Sequence, residues 1–312
     1  MSTGAFYCLG PVVLDKVVKV DNLPGHDEKA FIQSMTDVAG GPPRNVAAAL
    51  ARWREEALLM APVGDDETGR SLLASLEEIG LTTSGIDIVS GMATAFTIVI
   101  LDDTGEKAIL IDPLGEDTLA RIGRRLAPKP HDIVITNLYH AGAVATAMKR
   151  ARAAGARAAL DLELPEAKRW GWEQAFEVAR LADFVIANAQ LLAGWIEFEK
   201  LDLPMAEAGE RLVQFLARNG SRACVTFGAG GLIACDGETT FTLPALPITP
   251  KNTTGAGDVF LAAFAKMSGE GRGFKQALIF ASTAAGLFVE GGLPDWSTVE
   301  RRAQPLIDER IR

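Results

Sequence analysis

Asn252-Thr253-Thr254-Gly255-Ala256-Gly257-Asp258-Val259-Phe260 joins a strand-like segment ending near Thr249 to an apolar helical pattern running from Ala256 to Met267. A turn of small residues that opens a helix points its backbone N–H groups along the positive end of the helix dipole, which makes an anion cradle. Gly255 and Gly257 let a ligand approach the backbone closely. Beside an anion held there, Asp258 could accept a proton from an attacking hydroxyl; the same residue is also what an ordinary first helical turn uses to complement its dipole. Two other phosphate motifs are excluded. A dinucleotide fingerprint needs a third glycine where this chain has Phe260 after Gly255-Ala-Gly257, and Ile233 after Gly228-Ala-Gly230. A P-loop needs Gly-Lys, and the sequence contains no such dipeptide.

Upstream of this turn, β-branched runs alternate with helical patterns. They pair as 132–136 with 141–154, 157–162 with 172–181, and 183–187 with 205–219, the signature of βαβ units and a parallel sheet. A second long apolar helix is expected from Phe274 to Val289. The first 112 residues read differently: Val17 to Val20, Phe31 to Val38, Thr94 to Leu101 and Ala108 to Ile111 look like strands without full intervening helices. Segments at about 12–38 and 93–112 would then pair as a small separate sheet covering the main one, within a single domain spanning 1–312 and without a linker. The expected class is α/β, a mostly parallel central sheet flanked by helices with a small β-sheet lid.

Composition narrows the function classes. The 312 residues carry a net charge of −9 without a Lys/Arg run, so neither nucleic acid nor an anionic membrane is an expected partner. The N-terminus has no basic region before its apolar stretch, and no uncharged window is long and apolar enough to span a bilayer. Cys8, Cys224 and Cys235 are odd in number, lack CxxC spacing and lie in apolar runs, which fits a reducing cytoplasm. His26, His131 and His140 form no metal-ligand pair, so no protein-held metal site is expected.

A second glycine cluster, Gly40-Gly41-Pro42-Pro43-Arg44-Asn45, precedes a helix read as Val46 to Arg54 and offers Arg44 and Asn45 as side-chain donors. With Ala47 and Leu50-Ala51-Arg52 it resembles the N-terminal signature of the ribokinase-like, or phosphofructokinase B, carbohydrate kinases. Thr253-x-Gly255-Ala256-Gly257-Asp258-x-Phe260 resembles their C-terminal signature. Gly10 through Asp15, Val63-Gly64-Asp65-Asp66 with Gly69, Thr226-x-Gly228-x-x-Gly231 and Gly291-Gly292 extend the similarity along almost the whole chain.

The resemblance implies an ATP-dependent kinase acting on a sugar or sugar derivative, with Mg2+ bridging phosphates. Asp258 would be the base, with the backbone amides of Gly255, Ala256, Gly257 and Asp258 as the anion hole. Asp15, Gly41 and Asn45 would bind substrate hydroxyls, and Asn188, Thr226, Gly228, Gly231 and Ser282 would lie along the nucleotide. A lid-mediated homodimer is a further implication. Arg44 could bind an anionic substituent bidentately, or stand on a lid-facing surface.

Two departures stand out. Leu191 occupies a position where the family often has a glutamate that helps organise Mg2+. Asn252 replaces the usual aspartate near a monovalent-cation site, which predicts weak K+ activation. Two alternatives share the fold. One is a nucleoside kinase, with Phe6, Phe31 or Phe96 stacking on a base, although apolar core positions explain these residues equally. The other is a sugar or nucleotide sensor without turnover, against which the retained Asp258 argues.

Overall fold

The computed structural model describes residues 4–310. Chain order begins with β1 (Phe6–Leu9), β2 (Val13–Lys19), β3 (Ser34–Gly40), α1 (Pro42–Arg52), β4 (Ala57–Gly64), α2 (Glu67–Glu78), β5 (Ile86–Val89), β6 (Phe96–Leu101), β7 (Lys107–Ile111) and a single turn, α3 (Glu116–Leu119). It continues through β8 (Ile133–Asn137), α4 (Ala141–Ala153), β9 (Arg157–Leu162), α5 (Leu164–Trp170), α6 (Trp172–Ala179), β10 (Phe184–Asn188), α7 (Ala189–Glu199), α8 (Met205–Leu216), β11 (Arg222–Thr226), β12 (Leu232–Cys235) and β13 (Thr240–Leu243). Three helices follow: α9 (Ala256–Gly269), α10 (Phe274–Gly291) and α11 (Trp296–Arg310).

Nine strands form the main sheet in the order β13-β12-β11-β10-β9-β8-β1-β4-β5. Its pairs are parallel from β11 to β5, and β12 and β13 close one edge as antiparallel strands. Every residue of β8 is buried, as a strand covered on both faces requires. One apolar layer joins α1, α9 and α10 to one face of the sheet, and a second joins α4, α6, α7 and α8 to the other. Helix α9 is the centre of the first layer: Val259 through Ser268 are all buried. That explains why the helix is apolar on every side rather than amphipathic. One charge, Lys266, is buried with it and is paired to Glu55 and to Glu270, the latter at 2.9 Å.

The small sheet, ordered β3-β2-β6-β7, comes from two distant chain segments. It carries exposed apolar side chains, among them Met35, Leu110 and Ile111. The chain returns to it through Thr94, whose hydroxyl and amide are both held by the Asp66 carboxylate that caps α2.

Several sequence expectations shift. Helix α1 starts at Pro42 rather than Val46, because prolines suit the first turn, where an N–H has no helical acceptor. Arg44 and Asn45 thereby become first-turn helix residues. The strand expected to end near Thr249 ends at Leu243, since Pro244, Pro247 and Pro250 cannot donate to a ladder. Phe6 is core as an apolar strand residue, but Phe31 is 84% exposed, lying before β3 with no layer over it. Helix α7, which the alternating pattern passes over, fills the stretch after β10.

Candidate active site

Three structural features converge on the start of α9. Gly255 caps the helix at φ 86°, a left-handed conformation that glycine adopts freely. The first-turn N–H groups of Gly257 and Asp258 have no acceptor within the helix, whereas Ala256 N donates to Thr253 O at 3.2 Å. Beyond its chain neighbours and its own helix backbone, a Cβ added at Gly257 would meet no atom of the described residues within 4 Å, so this side of the turn is open to a ligand.

The second feature is α1. Gly41, at φ 104°, turns the chain from the small sheet into the helix, and the first turn delivers Asn45 to Asp258. Asn45 Nδ2 donates to Asp258 Oδ2 at 2.8 Å, and Arg44 Nη1 donates to Asn45 Oδ1 at 3.3 Å. Burial pushes the Asp258 carboxyl up to about 7, opposed by the Asn45 hydrogen bond and the charge of Lys107. Burial likewise lowers Arg44, with the Asp15 charge opposing.

The small sheet supplies the third. Asp15 lies mid-strand in β2, in register with Val38 and Thr97 on its two neighbours, and accepts a hydrogen bond from the Thr97 hydroxyl at 2.5 Å. From β7, Lys107 Nζ donates to Thr254 Oγ1 at 3.2 Å, which ties the small sheet to the turn before α9. Asp15, Gly41, Arg44, Asn45 and the Gly255–Asp258 turn therefore converge.

The remaining candidates lie farther along the same sheet edge. Asn188 and Thr226 are register partners at the ends of β10 and β11. Each has a local bond: Asn188 Oδ1 accepts from Leu191 N at 2.9 Å, and the Thr226 hydroxyl donates to Ala187 O at 3.3 Å. Gly228 and Gly231 form the following turn, both at positive φ. Ser282 sits on α10 beside Leu243, Pro244 and Leu246. The carboxyl ends of parallel strands are where open α/β sheets bind ligands.

Sequence reasoning missed Lys107 and four polar residues around β8 and β9: Asn137, Asp161, Glu163 and Glu166. Burial holds the Asp161 carboxyl well above its usual range and Glu163 at about 7; the charges of Glu166 and Asp258 add to both shifts. Glu166 is also raised by burial. A carboxylate within an otherwise apolar run, as Asp161 is in Ala158-Ala159-Leu160-Asp161-Leu162, was the available signal. Among the described residues no group of three His, Cys, Asp or Glu side chains is arranged to hold a metal. Mg2+ commonly needs only one or two carboxylates besides phosphate oxygens and water, and Asp161 and Glu163 fit that demand as buried acids short of counter-charge.

A profile of the pfkB family carbohydrate kinases matches residues 6–294. An ATP-dependent ribose-1-phosphate kinase of Halopiger xanaduensis is 30% identical over 261 residues, covering 82% of this chain and 81% of that protein. A Bacillus subtilis ribokinase is 26% identical over 315 residues, covering 94% and 97%. The crystal structure of a Cryptococcus neoformans ribokinase in complex with ADP superposes with a TM-score of 0.78 at 21% identity, covering 96% of this chain and all of that one. Escherichia coli phosphofructokinase-2 with fructose-6-phosphate gives 0.77 at 18% identity, covering 98% and 99%. The match spans nearly the whole chain and both glycine turns that build the site, and the protein belongs to the PfkB family of carbohydrate kinases.

Proposed function

We propose that the protein transfers the γ-phosphoryl group of ATP to a hydroxyl of a sugar or sugar derivative, with Asp258 as the proton acceptor. One observation carries this reading: a carboxylate pushed up to about 7 and hydrogen-bonded to Asn45 stands at the start of α9, beside amides open to a ligand. An acceptor with that pKa is matched to neutral pH. In the transfer, the sugar oxygen forms a bond to the γ-phosphorus as the bond to the bridging oxygen breaks, ADP leaves with that electron pair, and the hydroxyl proton passes to Asp258. The N–H groups of Gly255, Ala256, Gly257 and Asp258 stabilise charge on the equatorial oxygens. Asp161 and Glu163 would hold Mg2+, which would supply positive charge to offset that of the transferring phosphoryl group.

Asp15, Gly41 and Asn45 orient the sugar hydroxyls. Arg44 takes an anionic substituent, a role supported by its buried Nε, which has no hydrogen-bond partner among the described residues. Asn188, Thr226, Gly228, Gly231 and Ser282 line the nucleotide. Lys107 fastens the small sheet over the site through Thr254, which excludes water that would otherwise accept the phosphoryl group. The exposed apolar side chains of the small sheet support a homodimer formed there, and three buried free cysteines support a cytoplasmic location.

The test is coupled ADP release with Mg·ATP across neutral sugars, sugar acids, sugar phosphates and nucleosides. Turnover is expected on a sugar-type group, with little ADP release in its absence. Equal rates with and without sugar, or turnover on nucleosides alone, would overturn the proposal.

A further inference from the structure

Val63-Gly64-Asp65-Asp66 and Gly69 span the end of β4 and the start of α2, and they enclose Thr94, from which the chain enters β6. Asp66 Oδ2 accepts from Thr94 N at 2.8 Å, and Asp66 Oδ1 accepts from the Thr94 hydroxyl at 2.5 Å. The same Oδ1 accepts from Gly69 N at 2.8 Å, while Gly64 N donates to Thr94 Oγ1 at 2.9 Å. Thr94 is 5% exposed, so these bonds close with little solvent to compete for them. The packing around them leaves no slack. A Cβ on Gly64 would stand 2.1 Å from Met92 O, and one on Gly69 would stand 2.2 Å from Gly64 O and 2.9 Å from Thr94 Oγ1. Hydrogen bonds, led by that of the Thr94 hydroxyl, hold the Asp66 carboxyl below its usual range, so it accepts as a charged group at neutral pH.

Thr94 leads directly to Asp15. Ala95 O accepts from Leu14 N at 3.0 Å, Phe96 and Thr97 are the register partners of Leu14 and Asp15, and the Thr97 hydroxyl donates to Asp15 Oδ1. Thr94, fixed to the main body, and Thr97, which holds Asp15, are thus joined by Ala95 and Phe96 alone. The opposite face of the small sheet is not propped in the same way. Leu14 and Ala39 pair across strands and share the face turned away from Asp15. There an open cavity of about 340 Å3 separates Leu14, Asp37 and Ala39 from Thr68, Ser71 and Leu72 of α2. Across such a gap α2 sets the angle of the small sheet through the Asp66–Thr94 bonds rather than through close packing.

We propose that Asp66 is a positioning residue for substrate binding: by fixing Thr94 it sets the angle of the small sheet, and through Thr97 the place of the Asp15 carboxylate. The inference rests on the sugar-kinase reading above, in which Asp15 orients sugar hydroxyls. Asp66 acts through Thr94 and Thr97 and not by contact with the reacting atoms. A misplacement of about 1 Å introduced far from the chemistry can cost about 100-fold in rate, so a loosened pivot has a measurable consequence.

The experiment pairs a distance measurement with kinetics. Thr94→Val keeps the side-chain shape and loses the hydroxyl, Thr94→Ser keeps the hydroxyl, and Asp66→Asn loses one acceptor. Spin labels on Glu78→Cys in α2 and Glu106→Cys beside β7, two exposed positions, report the distance from helix to small sheet by pulsed electron resonance, whether or not the protein turns over; the native cysteines are buried. Wild type and Thr94→Ser should give the same narrow distribution, and Thr94→Val and Asp66→Asn one at least about twice as wide. ADP release is then followed on the best substrate among D-ribose, D-fructose, D-fructose 6-phosphate and D-ribose 1-phosphate. Thr94→Val and Asp66→Asn should raise the sugar KM about 10-fold or more and leave the ATP KM within about threefold, with Thr94→Ser restoring both, a split that a folding defect would not produce. Equal distributions in all four proteins refute the pivot. A wider distribution with an unmoved sugar KM, or with both KM values raised alike, refutes the positioning of Asp15. If wild type turns over none of the four sugars, the kinase reading fails for this class and the role through Asp15 falls with it, while the distances still decide whether Asp66 holds the small sheet.

Discussion

Replacing Asp258 with Asn should abolish activity and stabilise the fold at the same time. The carboxyl moves from 3.8 to about 7 because burial disfavours its charge. A carboxyl whose folded pKa exceeds its unfolded value binds its proton more tightly in the native state, so its favourable contribution is present below about pH 4 and is lost as pH rises to about 7. Above that the ionised group is a standing cost. At about 1.36 kcal/mol per pH unit, the shift corresponds to roughly 4 kcal/mol, of which an isosteric amide that keeps the Asn45 contact should recover about half or more. With an unfolding entropy of about 2.1 cal/mol/K per residue, this chain gains about 3 to 6 °C in Tm. Calorimetry of wild type and Asp258→Asn should therefore show a Tm difference at about pH 8.5 that vanishes near about pH 4. In the same variant kcat should fall by about 10²- to 10⁴-fold, and wild-type kcat/KM should drop on acidification with an apparent pKa near 7. A variant no more stable than wild type at the higher pH, or a wild-type profile flat across neutrality, would refute the reasoning.

Other predictions follow from single contacts. Arg44→Ala should raise KM by about 10-fold or more for sugar phosphates and sugar acids and much less for neutral sugars; an equal effect on both removes Arg44 as an anion ligand. Asn252 brings no charge to the turn before α9, so K+ at constant ionic strength should change turnover by less than about twofold, and a large stimulation would contradict this. Lys266→Ala should lower stability by about 1 to 4 kcal/mol, read by urea unfolding, because it removes a buried cation that pairs with Glu55 and Glu270 and stacks 4.9 Å from the Trp296 ring. Wild type should sediment at about twice 33.2 kDa, and Met35→Asp combined with Leu110→Asp, two exposed positions on one face of the small sheet, should give the monomer; a monomeric wild type would refute the dimer.

Local patterns in the sequence carried the class of fold, because strand and helix periods, glycine turns and helix starts are written in contiguous residues. The alternation after residue 132, the apolar runs of α9 and α10 and the Gly255-Ala-Gly257-Asp258 turn were all legible that way. So were the two strand segments of the small sheet, though Val13 and Gly40 extend them beyond the apolar runs because ladder pairing continues through polar and small residues.

The site was legible only where a resemblance linked distant motifs. Asn45 meets Asp258 across 213 positions, and that contact exists because α1 and α9 lie in the same layer against the sheet. Lys107 and Glu163 showed no local sign of function. One is a lone charge on an exposed strand, and the other follows a buried strand by a single residue. The order of strands brings them to Asp258, and burial then sets its pKa. What the sequence determined by itself was which segments form which elements and which turns can hold an anion. What only the tertiary structure decided was which charges face one another, because Coulomb and hydrogen-bond energies depend on distances in space that strand order and layer packing create.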